Sequence, residues 1–398
     1  MVVEEINPDF VPWARIKVMW IGGWGWNTVD RMINEGLEGV EFISVNTDAQ
    51  ALANTTPDKK INIGMDITKG LGAWANPEIG QKAAEESIDE VKKHLQDTDM
   101  LFITAGMWGG TGTWAAPVIA STAKEMGILT VGVVTKPFSF EGKKRMQNAL
   151  EWLDKMRNAV DTLIVIPNDK IFNIIDKKTT FKQSFSMIDK ILYLGVQGIS
   201  DLIIKPGDIN TDFADIKVTM KDSGTALLGI WYGEGENRAV EAAKKAIDNP
   251  LLESNLEGAK NIIFAVTGGD DLTPMEVQEA ARVLWEIVDP DANIIWGMSF
   301  DDSYDGEMKV TIVATGFPQE AQDNLIQWNS SQFQGFGWAG RKWQDFVNRA
   351  IWGSRRNKKR NSQNSSSSNS SDSKDSNGSE SKWKDYDTPA FLRKRLNK

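Results

Sequence analysis

With 398 residues, 41% of them apolar and a quarter charged, the chain is long enough for two packed cores and a tail, and no apolar run approaches the ~20 residues of a membrane-spanning helix. Cysteine is absent and histidine occurs once, as His94, which excludes disulfides, thiolate zinc sites and cysteine nucleophiles; any catalysis falls to carboxylates, hydroxyls, backbone amides or a ligand-borne metal. Residues 1–353 carry 33 Lys and Arg against 50 Asp and Glu, whereas residues 354–398 carry 12 against 5, so an acidic body that disfavours nucleic acid is joined to a basic tail suited to an anionic lipid surface or an acidic protein groove.

Met1 to Phe10 has neither a basic start nor an apolar core of the signal-peptide kind, and the expectation is a cytoplasmic protein without membrane insertion. From Arg15 onward, β-branched runs at Ile16–Ile21, Val40–Asn46, Met100–Thr104, Thr130–Thr135 and Thr162–Ile166 alternate with helical patterns. That alternation predicts a doubly wound, Rossmann-like parallel sheet, with a ligand site beyond the carboxyl ends of its strands. Gln183 to Ile204 reads as one long helix with apolar residues around most of its circumference, suited to lie between two domains and ended by Pro206-Gly207. A second α+β domain with a mainly mixed or antiparallel sheet follows, with strands predicted at Ile216–Met220, Thr225–Trp231, Asn261–Thr267 and Lys309–Thr315 and helices at Asn237–Ile247 and Pro274–Val288. After Pro318 the pattern fades, and the polar run from Asn361 to Ser381 predicts a disordered linker. In the last segment, Asp385 to Lys398, Thr388 can cap, Pro389 suits a first helical turn, and Phe391, Leu392 and Leu396 form a small apolar stripe of the kind that folds on a partner.

The first strand runs into Gly22-Gly23-Trp24-Gly25-Trp26-Asn27, and the third into Gly106-Met107-Trp108-Gly109-Gly110-Thr111-Gly112-Thr113-Trp114 before a helix. Glycine lets backbone amides approach a phosphate, and a helix N-terminus adds partial positive charge, so two such loops on one sheet suggest a triphosphate site. The GxxxxGK[ST] loop is absent, which disfavours that other phosphate-binding class. A nicotinamide dehydrogenase also fares poorly, because Asn46-Thr47 stands at the end of the second strand where an acidic ribose ligand belongs.

The segment from Trp108 to Trp114 resembles the tubulin-superfamily signature GGGTG[ST]G, with tryptophan at its first and last positions. The 46–52, 75–80, 137–142 and 289–295 segments and the C-terminal peptide resemble the FtsZ branch of that superfamily in order. The resemblance implies a flexible arm at 1–14, a GTP-binding domain at 15–182, a central helix at 183–206, a C-terminal domain at 207–317, a linker at 318–384 and a partner-binding peptide at 385–398. It assigns phosphate contacts to Gly22, Gly23, Gly109, Gly110, Thr111, Gly112 and Thr113, γ-phosphate sensing to Gly72 and Ala73, the ribose to Glu141 and Arg145, the guanine edge to Asn168 and Asp189, and its face to Phe185, and it places Asn27 and Asn46 among the nucleotide-binding residues. GTP and GDP are the implied ligands, with Mg²⁺ carried on the phosphates and no protein-only metal site. Asp212 and Asp215, assisted by Asn210, are implied to reach the nucleotide of the next subunit, so that a head-to-tail homopolymer hydrolyses GTP at its contacts and forms a division ring at midcell beneath the membrane. The C-terminal peptide is implied to dock on an FtsA-like membrane tether or another division protein.

The main departure is that Trp20, Trp24, Trp26, Trp74, Trp108, Trp114 and Trp231 stand where the family has glycine. A side chain where positive φ is needed costs on the order of 1 kcal/mol or more, and an indole facing the phosphates fills their space. Two explanations compete: a pseudo-GTPase scaffold that kept the fold for assembly, or an organism that reads UGA, one base from GGA, as glycine. Decay scatters substitutions, whereas here one replacement dominates and the polar site residues remain, which favours glycine in the cell.

Overall fold

A computed structural model describes residues 14–23, 26–57, 59–73, 76–107, 109–173, 175, 178–204, 212–249 and 256–326. The N-terminal half runs β1 (Ile16–Ile21), α1 (Trp26–Asn34), β2 (Val40–Asn46), α2 (Ala49–Ala53), β3 (Lys59–Asn62), α3 (Met65–Thr68), α4 (Pro77–Glu86), α5 (Ile88–Leu95), β4 (Met100–Gly106), α6 (Thr111–Glu125), β5 (Leu129–Lys136), α7 (Lys143–Ala159) and β6 (Thr162–Pro167). Then come α8 (Phe181–Ile204), α9 (Phe213–Met220), β7 (Gly224–Glu234), α10 (Arg238–Ile247), β8 (Asn261–Gly268), α11 (Pro274–Trp285), β9 (Asn293–Phe300), β10 (Glu307–Thr315) and α12 (Gln319–Ile326).

The strands order as β3-β2-β1-β4-β5-β6-β7-β10-β8-β9. The first six are parallel and doubly wound, because each crossover carries a helix onto a face of the sheet. Alternation along β1 shows the two layers. Ile16, Val18 and Trp20 join the core that includes Val29 and Met32 of α1 and the buried face of α8, whereas Met19 and Ile21 join the core under α4, α6 and α7. At 24 residues α8 spans about 36 Å, and its burial on several sides matches the expected rod.

The structure adds the edge strands β3 and β9 to those expected, and differs from the sequence reading in three further places. Ile216–Met220, expected as a strand, is the end of α9: Ile216, Thr219 and Met220 are buried at helical spacing, and Asp215 in the first turn favours the helix. The expected second sheet is continuous with the first, because Thr162, Leu163 and Ile164 pair in parallel with Gly224, Thr225 and Ala226. Beyond that seam β7, β10 and β8 are antiparallel and β9 adds a parallel edge. Finally, the expected linker begins with structure. In α12, Asp323 pairs with Arg157 at 2.7 Å, Gln322 accepts from Thr225 N at 3.3 Å, and the Ile326 carbonyl accepts from Lys136 Nζ at 3.3 Å. Residues 327–398, including the rest of that linker and the C-terminal peptide, lie outside the described residues.

Candidate nucleotide site

The strand order reverses between β1 and β4, and the crevice beyond their carboxyl ends is where a doubly wound sheet takes a ligand. Four loops converge there. Gly22, with φ +96°, sits so close to the signature loop that an added Cβ would lie 2.8 Å from Gly112 N, and one on Gly112 would lie 2.8 Å from the Ile21 carbonyl. Only glycine permits this approach. Gly109, by contrast, has open space around its missing Cβ. α6 begins at Thr111 with no side chain capping it and no acidic residue in its first turn, leaving amides and partial positive charge for an anion.

The loops after β2 and β3 close the other side. Thr47 and Thr111 share a buried hydroxyl–hydroxyl hydrogen bond of 2.6 Å, a contact the sequence reading missed because 64 residues separate them. Gly72 N donates to the Thr47 carbonyl at 3.2 Å, and Ala49 N to Gly70 O at 3.0 Å, so Gly72 and the buried Ala73 are brought to the same place as Asn46. Asn46 Nδ2 lies 3.7 Å from where a Cβ on Gly23 would stand. Asn27 belongs to α1, but its side chain lies outside the description.

The residues expected to hold the base and the sugar come from the loops after β5 and β6 and from α8. Ser139 N donates to Asp169 Oδ1 at 2.9 Å, and Phe138 meets Phe185 edge to face at 5.5 Å, which joins those three elements. Glu141 accepts from Phe138 N at 3.0 Å and from Arg145 Nη1 at 2.5 Å, so the expected sugar-binding pair is assembled as an ion pair. Asn168 is buried, yet neither its Oδ1 nor its Nδ2 has a hydrogen-bond partner. A buried amide left unsatisfied on both atoms costs free energy unless something fills the space beside it, and a purine edge supplies both a donor and an acceptor. Asp189, partly buried on α8, accepts a hydrogen bond from Thr28 of α1, and burial pushes its carboxyl up to about 6 despite Thr28 and the nearby Arg31.

Asp212 and Asp215 lie elsewhere. Met220, at the end of α9, accepts from Thr162 at the start of β6, and a Cβ on Gly39, just before β2, would lie 2.6 Å from Ile204 at the end of α8. The end of α8 and α9 thus occupy the amino-terminal edge of the sheet, opposite the glycine loops. Both carboxylates are exposed, and Asp212 stands at the α9 N-cap without a side-chain capping bond. Asn210 lies outside the described residues.

Residues 15–176 match the model of the tubulin/FtsZ family GTPase domain, and residues 224–318 that of the FtsZ family C-terminal domain. An FtsZ dimer from M. jannaschii is 43% identical and superposes with a TM-score of 0.73 over 81% of this chain and 95% of that one. The chain belongs to the tubulin/FtsZ family. CetZ1 from Haloferax volcanii, in its GDP-bound form, shares the fold at 22% identity and a TM-score of 0.67, over 79% of this chain and 97% of that one. As a family member the chain carries a GTPase domain that binds guanine nucleotide, and the glycine crevice and the unsatisfied Asn168 fit such a ligand.

Three of the seven tryptophans at family glycine positions have described side chains, and they do not strain the backbone. Trp20, Trp114 and Trp231 are buried, and none has positive φ. The cost expected from left-handed geometry is therefore corrected at these positions. Trp20 Nε1 donates to the Gly22 carbonyl at 3.0 Å, and Trp114 meets Trp152 edge to face at 4.1 Å between centroids. The side chains of Trp24, Trp26, Trp74 and Trp108 lie outside the description.

Proposed function

We propose that the chain is a GTP-dependent polymerising GTPase of cell division, which forms the ring at the future septum and hydrolyses GTP at the contact between subunits. The observation that carries this reading is the separation of the two half-sites: glycine loops, Asn168 and Asp189 toward the carboxyl edge of the sheet, Asp212 and Asp215 beyond its amino edge, with the length of the strands between them. Carboxylates so placed cannot act on their own chain's nucleotide, whereas a head-to-tail neighbour brings them to it, and repetition of that heterologous contact gives a filament. Apolar side chains are exposed at both edges, Phe140 and Phe181 beside the base end and Val218 on α9, as such a contact needs. The M. jannaschii match is an FtsZ dimer, and CetZ2 of Haloferax volcanii, sharing the fold at 17% identity and a TM-score of 0.66 over 84% of this chain and 99% of that one, is a protofilament; both support self-association.

In the assembled site Asp212 and Asp215, with Asn210, orient and polarise the attacking water, and the amides at the start of α6 hold the phosphates. Mg²⁺, held by the nucleotide phosphates rather than by side chains of this chain, would supply charge neutralisation there. Asn168 and Asp189 select guanine, Phe185 covers its face, and Glu141 and Arg145 hold the ribose. The site is cytoplasmic, at midcell beneath the membrane, reached through residues 385–398 and an FtsA-like tether. GTP turnover per subunit is expected to be negligible at low protein concentration and to rise at a threshold that coincides with sedimentable polymer. Turnover that stays constant per subunit down to the lowest concentration sinks the reading.

A second reading, a non-hydrolysing scaffold, rests on the tryptophans. Trp20 and Trp114 bury without backbone strain, so the chain as written can fold whether or not it binds GTP. The retention of Thr111, Thr113, Asn168, Asp189, Asp212 and Asp215 supports instead glycine at these positions in the cell. Peptide masses across residues 24, 26, 108 and 114 of the protein from its source are expected to show glycine; tryptophan there makes the chain a scaffold.

A further inference from the structure

Guanine presents two adjacent donors, N1–H and the exocyclic amine, and a carboxylate meets both only if its plane is fixed toward them. The terminal torsion of aspartate is soft, so a partner must fix it. In this chain that partner comes from α1, the helix that follows the first glycine loop. Thr28 is fully buried, and its hydroxyl donates to Asp189 Oδ1. The charged groups around that carboxylate are engaged with one another. Arg31, one turn further along α1, donates from Nη2 to Ser186 Oγ at 2.5 Å and lies 3.9 Å from Glu35, which in turn pairs with Lys190 at 3.4 Å. Residues 28, 31 and 35 therefore form one polar seam against residues 186, 189 and 190 of α8.

Resting on the guanine reading of Asp189 given above, we propose that Thr28 is a specificity-determining positioning residue, whose hydroxyl pins one oxygen of Asp189 so that the carboxylate faces the guanine donors. The same bond ties the base reader to the helix that carries the first phosphate loop, so the two ends of the nucleotide are held by one rigid element. Neither role requires Thr28 to touch the nucleotide.

The test uses full-length protein, carrying the residues the cell places at 24, 26, 108 and 114, and measures binding of fluorescent GTP, xanthosine triphosphate and ATP between pH 5 and 8. Thr28→Val keeps the shape and removes the donor, and is expected to weaken GTP about tenfold with ATP unchanged, as loss of a hydrogen bond to a charged group does. Thr28→Ser keeps the donor and is expected to stay within about threefold of wild type. In wild type, GTP affinity is expected to fall as pH drops through about 6, because a protonated carboxyl cannot accept both guanine donors. Thr28 lowers that carboxyl's proton affinity, and Arg31, Glu35 and Lys190 stay in place in the variant, so Thr28→Val is expected to move the fall to higher pH. Asp189→Asn separates the two claims: its amide can donate to the xanthine carbonyl, so it is expected to exchange GTP for xanthosine triphosphate. If it does, and Thr28→Val binds GTP with the wild-type affinity and pH profile, the Thr28 inference alone is overturned. If Asp189→Asn leaves GTP binding untouched, the guanine reading falls and takes this inference with it.

Discussion

Full-length protein with Asp212→Asn is expected to bind GTP and assemble as wild type does, with turnover lower by about two orders of magnitude or more, the usual effect of losing a group that handles the attacking nucleophile. Asp212 is exposed at the head of α9 and far from the glycine loops of its own chain, so its loss should leave the nucleotide crevice intact. The stronger form of the experiment mixes two inactive proteins. Asp212→Asn holds GTP but offers the neighbour Asp215 without Asp212; Asp189→Asn holds no GTP but keeps Asp212. With GTP and xanthosine triphosphate both supplied, so that every crevice is filled, random head-to-tail assembly joins a GTP-holding crevice to an intact Asp212 at about one contact in four, and an equimolar mixture is expected to recover up to about a quarter of wild-type GTP turnover. A mixture that sediments with both proteins present and remains as inactive as either parent places catalysis within one chain.

How much of this was legible in the sequence follows from how local each signal is. β1, β2, β4, β5 and β6 were legible to within two residues because parallel strands buried on both faces write continuous apolar runs. The two edge strands of the sheet wrote weaker ones: β3 buries only Ile61, and β9 keeps Asn293 and Trp296 exposed. α9 was misread because Ile216, Val218 and Thr219 favour strands when taken alone, and it is packing that makes the segment a helix. α12 is eight residues long, too short for periodicity to stand out, and its anchors on Arg157, Thr225 and Lys136 come from distant parts of the chain.

The same distinction holds in the site. Its glycine loops are contiguous and could be read, along with the family they resemble. The pairing of Thr28 with Asp189 spans 161 residues, and that of Thr47 with Thr111 spans 64, so neither has a local signature. Asn168 illustrates the limit from the other side: the resemblance named it, but only the packing around it reveals an amide buried with both atoms unsatisfied.

The largest stability loss is expected away from the nucleotide, at Arg238. Its guanidinium, 4% exposed at the start of α10, forks onto Glu276 through Nε at 2.5 Å and Nη2 at 3.0 Å, and reaches Asp271 through Nη1 at 2.6 Å. Glu276 also accepts from Thr273 N at 2.9 Å in the capping box that starts α11, so one cation holds α10, α11 and the loop after β8 together. Arg238→Met preserves the stem and removes the charge, leaving two carboxylates without their partner. The expected cost is about 3–5 kcal/mol, or a melting temperature lower by roughly 6–20 °C. GTP binding, measured in the cold, should be retained, because these residues lie in the C-terminal domain.

Acid supplies the second half of that test. Arg238 holds the Glu276 carboxyl down to about 2, against an ordinary value of 4.5. The stability this depression contributes is fully present above pH 4.5 and is lost as pH falls from there through about 2. The gap in melting temperature between wild type and Arg238→Met should therefore be widest near neutrality and should narrow as pH drops toward 3. Adding Glu276→Gln to Arg238→Met removes one orphaned charge and should recover part of the loss at pH 7. An Arg238→Met protein that melts within 2 °C of wild type at pH 7 would mean that water already satisfies these carboxylates and that the apolar packing of α10 on β7 carries the C-terminal domain by itself.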